Sequence, residues 1–170
     1  MDGDAHTEET LTYLEMTAPS QLIASRPVGE ITLEPLDGLS PLIRPVQVEI
    51  GTPYGWPSVS RSDHDWAEWL SHPDRRYWLI NYGSEVAGIV DFEPHGDGEV
   101  EITTFGLVPK YVGRGLGGHA LTLAVRQAWG FERADGAPVR RIWLHTSARD
   151  HPNALRNYER RGFRRCKDRP

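Results

Sequence analysis

Gly113, Gly115, Gly117 and Gly118 stand within six residues of one another, directly ahead of the most regular amphipathic stretch in the chain. Glycines so placed let successive backbone N–H groups turn toward one ligand, and the start of the following helix adds the positive end of its dipole. A pyrophosphate suits such a turn, with Arg114 as a charged donor beside it. Gly113-Arg114-Gly115-Leu116-Gly117-Gly118 also fits the dinucleotide pattern G-x-G-x-x-G, but its context disagrees. Pro109-Lys110-Tyr111 separates the turn from the strand before it, and hairpins, not βαβ units, precede it. Glu132 and Asp135 fall in a loop, where that pattern needs an acidic residue at a strand end. The Gly-Lys-Ser/Thr of a P-loop is also missing.

The elements that must hold this turn follow from periodicity. Leu11–Met16 and Ile31–Leu33 read as short strands, and Ser40–Ile50 as a helix troubled by Pro45. A loop dense in aromatics and breakers, Gly51–Pro57, leads to a short helix capped at Ser62-Asp63 and carrying Trp66, Trp69 and Leu70 on its core side. Tyr77–Tyr82 and Val86–Phe92 flank Gly83-Ser84 as a hairpin, and Glu99–Val108 is a further strand. Leu116–Trp129 is the clearest helix, with Leu116, Ala120, Ala124 and Ala128 four apart. Arg141–Thr146 reads as a buried strand. Asp150 or His151 begins a last helix that runs to Arg161 and stops at Gly162, and Phe163 begins a final strand. Hairpins followed by strand–helix–strand–helix–strand describe an α/β (α+β) fold with a mixed central sheet and flanking helices.

Length and charge narrow the classes. At 170 residues the chain has the size of one domain, expected over residues 10–170, after an acidic, polar segment 1–9 expected to be disordered. A net charge of −5 disfavours a nucleic-acid surface, and Arg160, Arg161, Arg164, Arg165 and Lys167 read as a solvated helix end and a charged edge strand. Cys166 stands alone, so no disulfide framework is expected. No apolar run reaches the length of a membrane span, and the expectation is a cytoplasmic protein with no nucleic-acid or membrane partner. The 7 histidines show no metal-ligand spacing, so no metal is expected.

Two stretches together carry a family likeness. Val108-Pro109-x-Tyr111-x-Gly113-Arg114-Gly115-Leu116-Gly117, followed by its helix, resembles motif A of the GCN5-related N-acetyltransferases, the GNAT family. Ala154-x-x-x-Tyr158-x-x-x-Gly162-Phe163 resembles the family's last helix and strand, and one helix and one strand fit between the two. The likeness is specific over Glu99–Phe163. It implies a mostly antiparallel sheet in which the strand ending at Val108 and the strand through Trp143 splay apart to admit the pantetheine arm of acetyl-CoA. The backbone of Leu107 and Val108 would pair with that arm, and Gly113 to Gly118 would hold the pyrophosphate on their amides. The implied reaction is direct acyl transfer to a primary amine in a ternary complex, without metal. Tyr158 stands where the family has its general acid, and Glu101 at the offset of the base in the histone-type members, with His145 as an alternative.

The sequence departs from the family in three places. Val112 falls where an Arg or Gln side chain usually assists the phosphates. His151 takes the place of a frequent Asn, with Asn153 close by. Few residues follow Phe163, so the last strand is expected to be short, absent or supplied otherwise, which leaves room for a homodimer. The acceptor side of the family is built from the first two helices and their loop, so Tyr54 and Trp56 are the expected acceptor contacts. A non-catalytic acyl-CoA-binding module with the same fold is the alternative function, and a dinucleotide-binding domain a distant third.

Overall fold

Alternation of apolar and polar residues builds seven strands. The computed structural model describes residues 10–167; the segment 1–9 lies outside them. β1 (Leu11–Met16), β2 (Ile31–Leu36), α1 (Ile43–Gly51) and α2 (Asp63–Leu70) come first. β3 (Arg76–Tyr82), β4 (Glu85–His95), β5 (Glu99–Leu107), α3 (Gly117–Trp129), β6 (Arg141–Ser147), α4 (Ala154–Arg160) and β7 (Arg164–Cys166) follow. The sheet order is β2-β3-β4-β5-β6-β1-β7. Every neighbouring pair is antiparallel except β5–β6, so the mixed, mostly antiparallel sheet with flanking helices is as expected.

Pro45 sits in the first turn of α1, where its missing N–H has no intrahelical role, so it starts a helix instead of breaking one. Ser62 caps α2 through a reciprocal box: its Oγ accepts from Asp65 N at 3.1 Å, and Asp65 Oδ2 accepts from Ser62 N. Trp66 is buried beneath that helix, as a core residue should be. Asp97 and Gly98 both take positive φ, 62° and 75°, which is the geometry an Asp-Gly hairpin turn requires between β4 and β5.

Two expectations need correction. The hairpins do not come first, because β1 does not pair with β2. It crosses the sheet to lie between β6 and β7, matching β6 from Leu11↔Ser147 to Met16↔Ile142 and β7 at Tyr13↔Cys166. The short final strand, three residues long, is thus backed by the first strand of the chain. The last helix begins at Ala154, not at Asp150 or His151. Asp150 Oδ2 accepts from Ser147 N at 3.2 Å and His151 Nδ1 from Asn153 N at 3.0 Å, and these local bonds hold the chain in turns until Asn153.

β5 and β6 pair only over Glu99–Glu101 and Arg141–Trp143, then diverge. Arg141 closes that end: its guanidinium meets Glu15 of β1 at 2.6 Å and Glu99 of β5 at 3.2 Å. The His95 ring stacks on Trp143 at 5.4 Å beside it. From there the two strands separate, and the splay implied by the family likeness is present. α3 buries Ala120, Leu121, Ala124, Val125 and Ala128 against the sheet next to this gap.

Candidate active site

A cleft of about 450 Å³ opens where β5 and β6 part. Phe105, Gly106 and Leu107 of β5 form one wall, the turn before α3 a second, and Asp150–Arg161 a third. Val108 N–H donates to Ala87 O of β4 at 2.8 Å, so the alternation of strand amides turns Leu107 N–H away from β4, toward the gap.

Gly113 and Gly115 hold φ of 77° and 76°, left-handed backbone that any side chain would strain. The turn is fixed from behind by Tyr111, buried against Tyr82 and bonded through its hydroxyl to Glu85. α3 has no side-chain cap, and its first internal bond is Ala120 N to Leu116 O. The amides of Gly117, Gly118 and His119 are therefore the unsatisfied helix-start donors that attract an anion.

Basic groups gather at this end. Arg156, Arg160 and Arg161 line the cleft. A Cβ on Gly118 would lie 2.7 Å from Ser25 Oγ and 2.8 Å from Arg161 Nη1, so both side chains press on the helix start. Arg161 Nε is buried without a partner among the described residues. Burial, and then Arg160, lower the Arg161 pKa. Asn157 Nδ2 donates to Gly117 O at 3.1 Å, and Thr122 Oγ1 donates to Gly118 O while accepting from Ser25 N.

At the opposite end Tyr158 is buried, 8% exposed, with its ring edge-on to Phe105 and Phe163. Burial, followed by the charge of Asp150, pushes its phenol well above the ordinary value, so the hydroxyl keeps its proton at neutral pH. Tyr54 and Trp56 line the same end. Trp56 fits only because Gly51 and Gly106 lack side chains: a Cβ on either would sit 2.7 Å or 3.2 Å from the Trp56 side chain. Its Nε1 donates to Asp150 Oδ1 at 2.5 Å, tying the loop after α1 to the loop after β6 across the cleft mouth.

The cleft thus gathers Leu107, Val112, Gly113, Gly115, Gly117, Gly118, Asn153, Tyr158, Tyr54 and Trp56. Four other expected residues point elsewhere. Val108 is buried behind the wall. Arg114 lies over the rings of Tyr82 and Tyr111, 5.4 Å and 5.0 Å from their centroids. His145 is exposed beside Tyr13 on β1, not interior. Glu101 is at the closed end of the β5–β6 pair, where its Oε1 meets His95 Nε2 at 2.9 Å. Glu93, His95 and Glu101 bring their ligand atoms within 4.8 Å of one another, a grouping that histidine spacing alone does not announce. Arg75 ion-pairs with Glu93 in this cluster.

The family model described as the acetyltransferase (GNAT) family matches residues 44–163. The chain belongs to the GNAT family. No curated protein matches the sequence. Among solved structures, a GCN5-related N-acetyltransferase from Kribbella flavida is similar at 20% identity and TM-score 0.60, over 95% of this chain and 58% of that one. An acetyltransferase from Thermus thermophilus is 26% identical with TM-score 0.58, over 81% of this chain and 89% of that one. A GCN5-related N-acetyltransferase from Sphaerobacter thermophilus has 14% identity and TM-score 0.56, over 97% of this chain and 52% of that one. This chain therefore spans little more than half the length of the Kribbella and Sphaerobacter proteins. β1 and Ser25 lie ahead of the matched GNAT segment, yet both belong to the architecture around the site.

Proposed function

We propose that this GNAT chain is an N-acetyltransferase that moves an acetyl group from acetyl-CoA to a primary amine by direct attack. The observation that carries the reading is the convergence, in one cleft, of the glycine turn, the uncapped start of α3, the open edge of β5 and the protonated Tyr158. Pyrophosphate would lie on the amides from Gly113 to His119, with Arg161 supplying the side-chain charge that Val112 lacks. The pantetheine arm would run along β5, and Leu107 N–H, aimed into the gap, would polarise the thioester carbonyl. Attack by the amine lone pair forms the C–N bond, and the C–S bond breaks as Tyr158 gives its proton to the departing sulfur. Glu101, bonded to His95, would reach the amine proton only through intervening water.

The test is thiol release from acetyl-CoA over a panel of primary amines. Turnover is expected in the wild type, and Tyr158→Phe should lower kcat by about 10²–10⁴ with acetyl-CoA affinity kept. Tight acetyl-CoA binding without turnover of any amine would favour the non-catalytic acyl-CoA-binding module instead.

A further inference from the structure

Asp150 differs from the other carboxylates near the sheet. Glu15, Glu93 and Glu99 each face an arginine. The partners of Asp150 are neutral donors: Trp56 Nε1 and Thr146 Oγ1, one on each oxygen, with Ser147 N sharing Oδ2 at 3.2 Å. Among the described residues no lysine, arginine or histidine pairs with it. A full negative charge therefore stands at the wall of a concave site, held by three neutral donors and half-buried. Such a carboxylate keeps free lone pairs and an uncompensated field, which is the arrangement that receives a cation.

The surroundings narrow the guest. Tyr54 and Trp56 give the same end aromatic walls, and the Tyr54 ring is edge-on to His151 at 6.0 Å. Aromatic faces beside a carboxylate suit an ammonium group carried on an apolar body. The charge of Asp150 is felt at the hydroxyls of both Tyr54 and Tyr158, whose phenols it helps push upward. A cation beside it is thus next to the residue that would protonate the leaving sulfur. The three arginines and the start of α3 occupy the other end, so the cleft is polarised: anion sites for the donor, an anionic contact for the acceptor.

We infer that Asp150, fixed by Trp56, Thr146 and Ser147, is the anchor for the acceptor, and that the acceptor class is a protonated primary amine on an apolar or aromatic body. This rests on the acetyl-transfer reading above. Asp150 gathers the ammonium form present in solution; the proton then leaves to solvent before the nitrogen attacks.

The Trp56 indole N–H bonds directly to the carboxylate, so its NMR resonance reports on that charge. Nitrogen-15-labelled protein, saturated with CoA so that no turnover occurs, is titrated at pH 7 with four amines and their isosteric alcohols. These are ethylamine/ethanol, butylamine/butanol, 2-phenylethylamine/2-phenylethanol and tryptamine/tryptophol. The Trp56 signal is assigned by its loss in Trp56→Phe. At least one amine should shift it saturably and bind at least tenfold tighter than its alcohol, and Asp150→Asn should bring the two within twofold. Equal affinity for amine and alcohol across all four pairs, or an amine preference that survives in Asp150→Asn, overturns the inference. The wild-type comparison decides the matter even if the variant does not fold. Calorimetry with CoA alone keeps the two readings apart: failure to bind CoA defeats the acetyl-transfer reading, whereas CoA binding without amine preference defeats only the role of Asp150.

Discussion

Asp91 is fully buried on β4, and the protein should lose stability as its carboxyl is forced to ionise. Gln47 Nε2 donates to Oδ2 at 2.7 Å and Thr103 Oγ1 donates to Oδ1, yet burial dominates and raises the pKa from 3.8 to about 7. Between those two values the unfolded chain has released the proton while the folded one retains it, so the native state binds more protons. Stability must then fall as pH rises from about 4 to about 7 and level off above the folded pKa. A separation of about three pH units corresponds to roughly 4 kcal/mol at full extent. Asp91→Asn keeps the shape and an acceptor for Gln47 but has nothing to ionise. Urea denaturation of both proteins at pH values from 4.5 to 8.5, followed by tryptophan fluorescence, isolates the effect from the histidines common to both. The wild-type stability relative to the variant should drop by roughly 3 kcal/mol over that range, with most of the change below pH 7. A difference that stays constant, or that grows with pH, would refute the assignment of Asp91 as a neutral buried acid.

Three further outcomes are expected. Gly88→Ala should destabilise by about 3 kcal/mol, because its Cβ would sit 2.1 Å from the Gly106 carbonyl oxygen of the adjacent strand; Gly29→Ala, with nothing within 4 Å, should change urea midpoints little. Ser62→Ala removes the hydroxyl of the α2 capping box and should cost about 1 kcal/mol in the same assay. Arg161→Ala should raise the acetyl-CoA dissociation constant about tenfold by calorimetry and flatten its salt dependence, since the lost contact is a charged one at a phosphate site.

Sequence signals are legible where local chemistry decides. The Gly83-Ser84 hairpin, the Ser62 cap, the alternation of β5 and the four-residue repeat of α3 all depend on neighbours in sequence, and the glycine turn lies where its spacing placed it. The features that sequence conceals depend on distant partners. Leu11–Met16 is recognisable as a strand, but nothing within it says that it pairs with β6. Asp150 looks like a helix cap ahead of Pro152, and its role emerges only when Trp56, 94 positions away, bonds to it. Arg161 reads as a solvated helix end until Ser25 and Gly118 close around it. Glu101 alternates correctly on its strand, but the strand carries it to the closed end of the splay, where His95 takes its carboxylate.

The place of β1 bears on how the chain is made. Glu15 and Arg141, joined across β1 and β6, are 126 positions apart. During synthesis the first strand leaves the ribosome long before its partner exists, at about 5–20 residues per second. Its unpaired edge must wait several seconds for β6, while β2 to β5 are free to zip as successive antiparallel neighbours. Closing so long a loop places β1 docking among the slow, late steps of folding. A nascent chain halted before residue 141 would therefore expose Leu14 and Met16, both buried in the finished protein, to any binder of apolar strands.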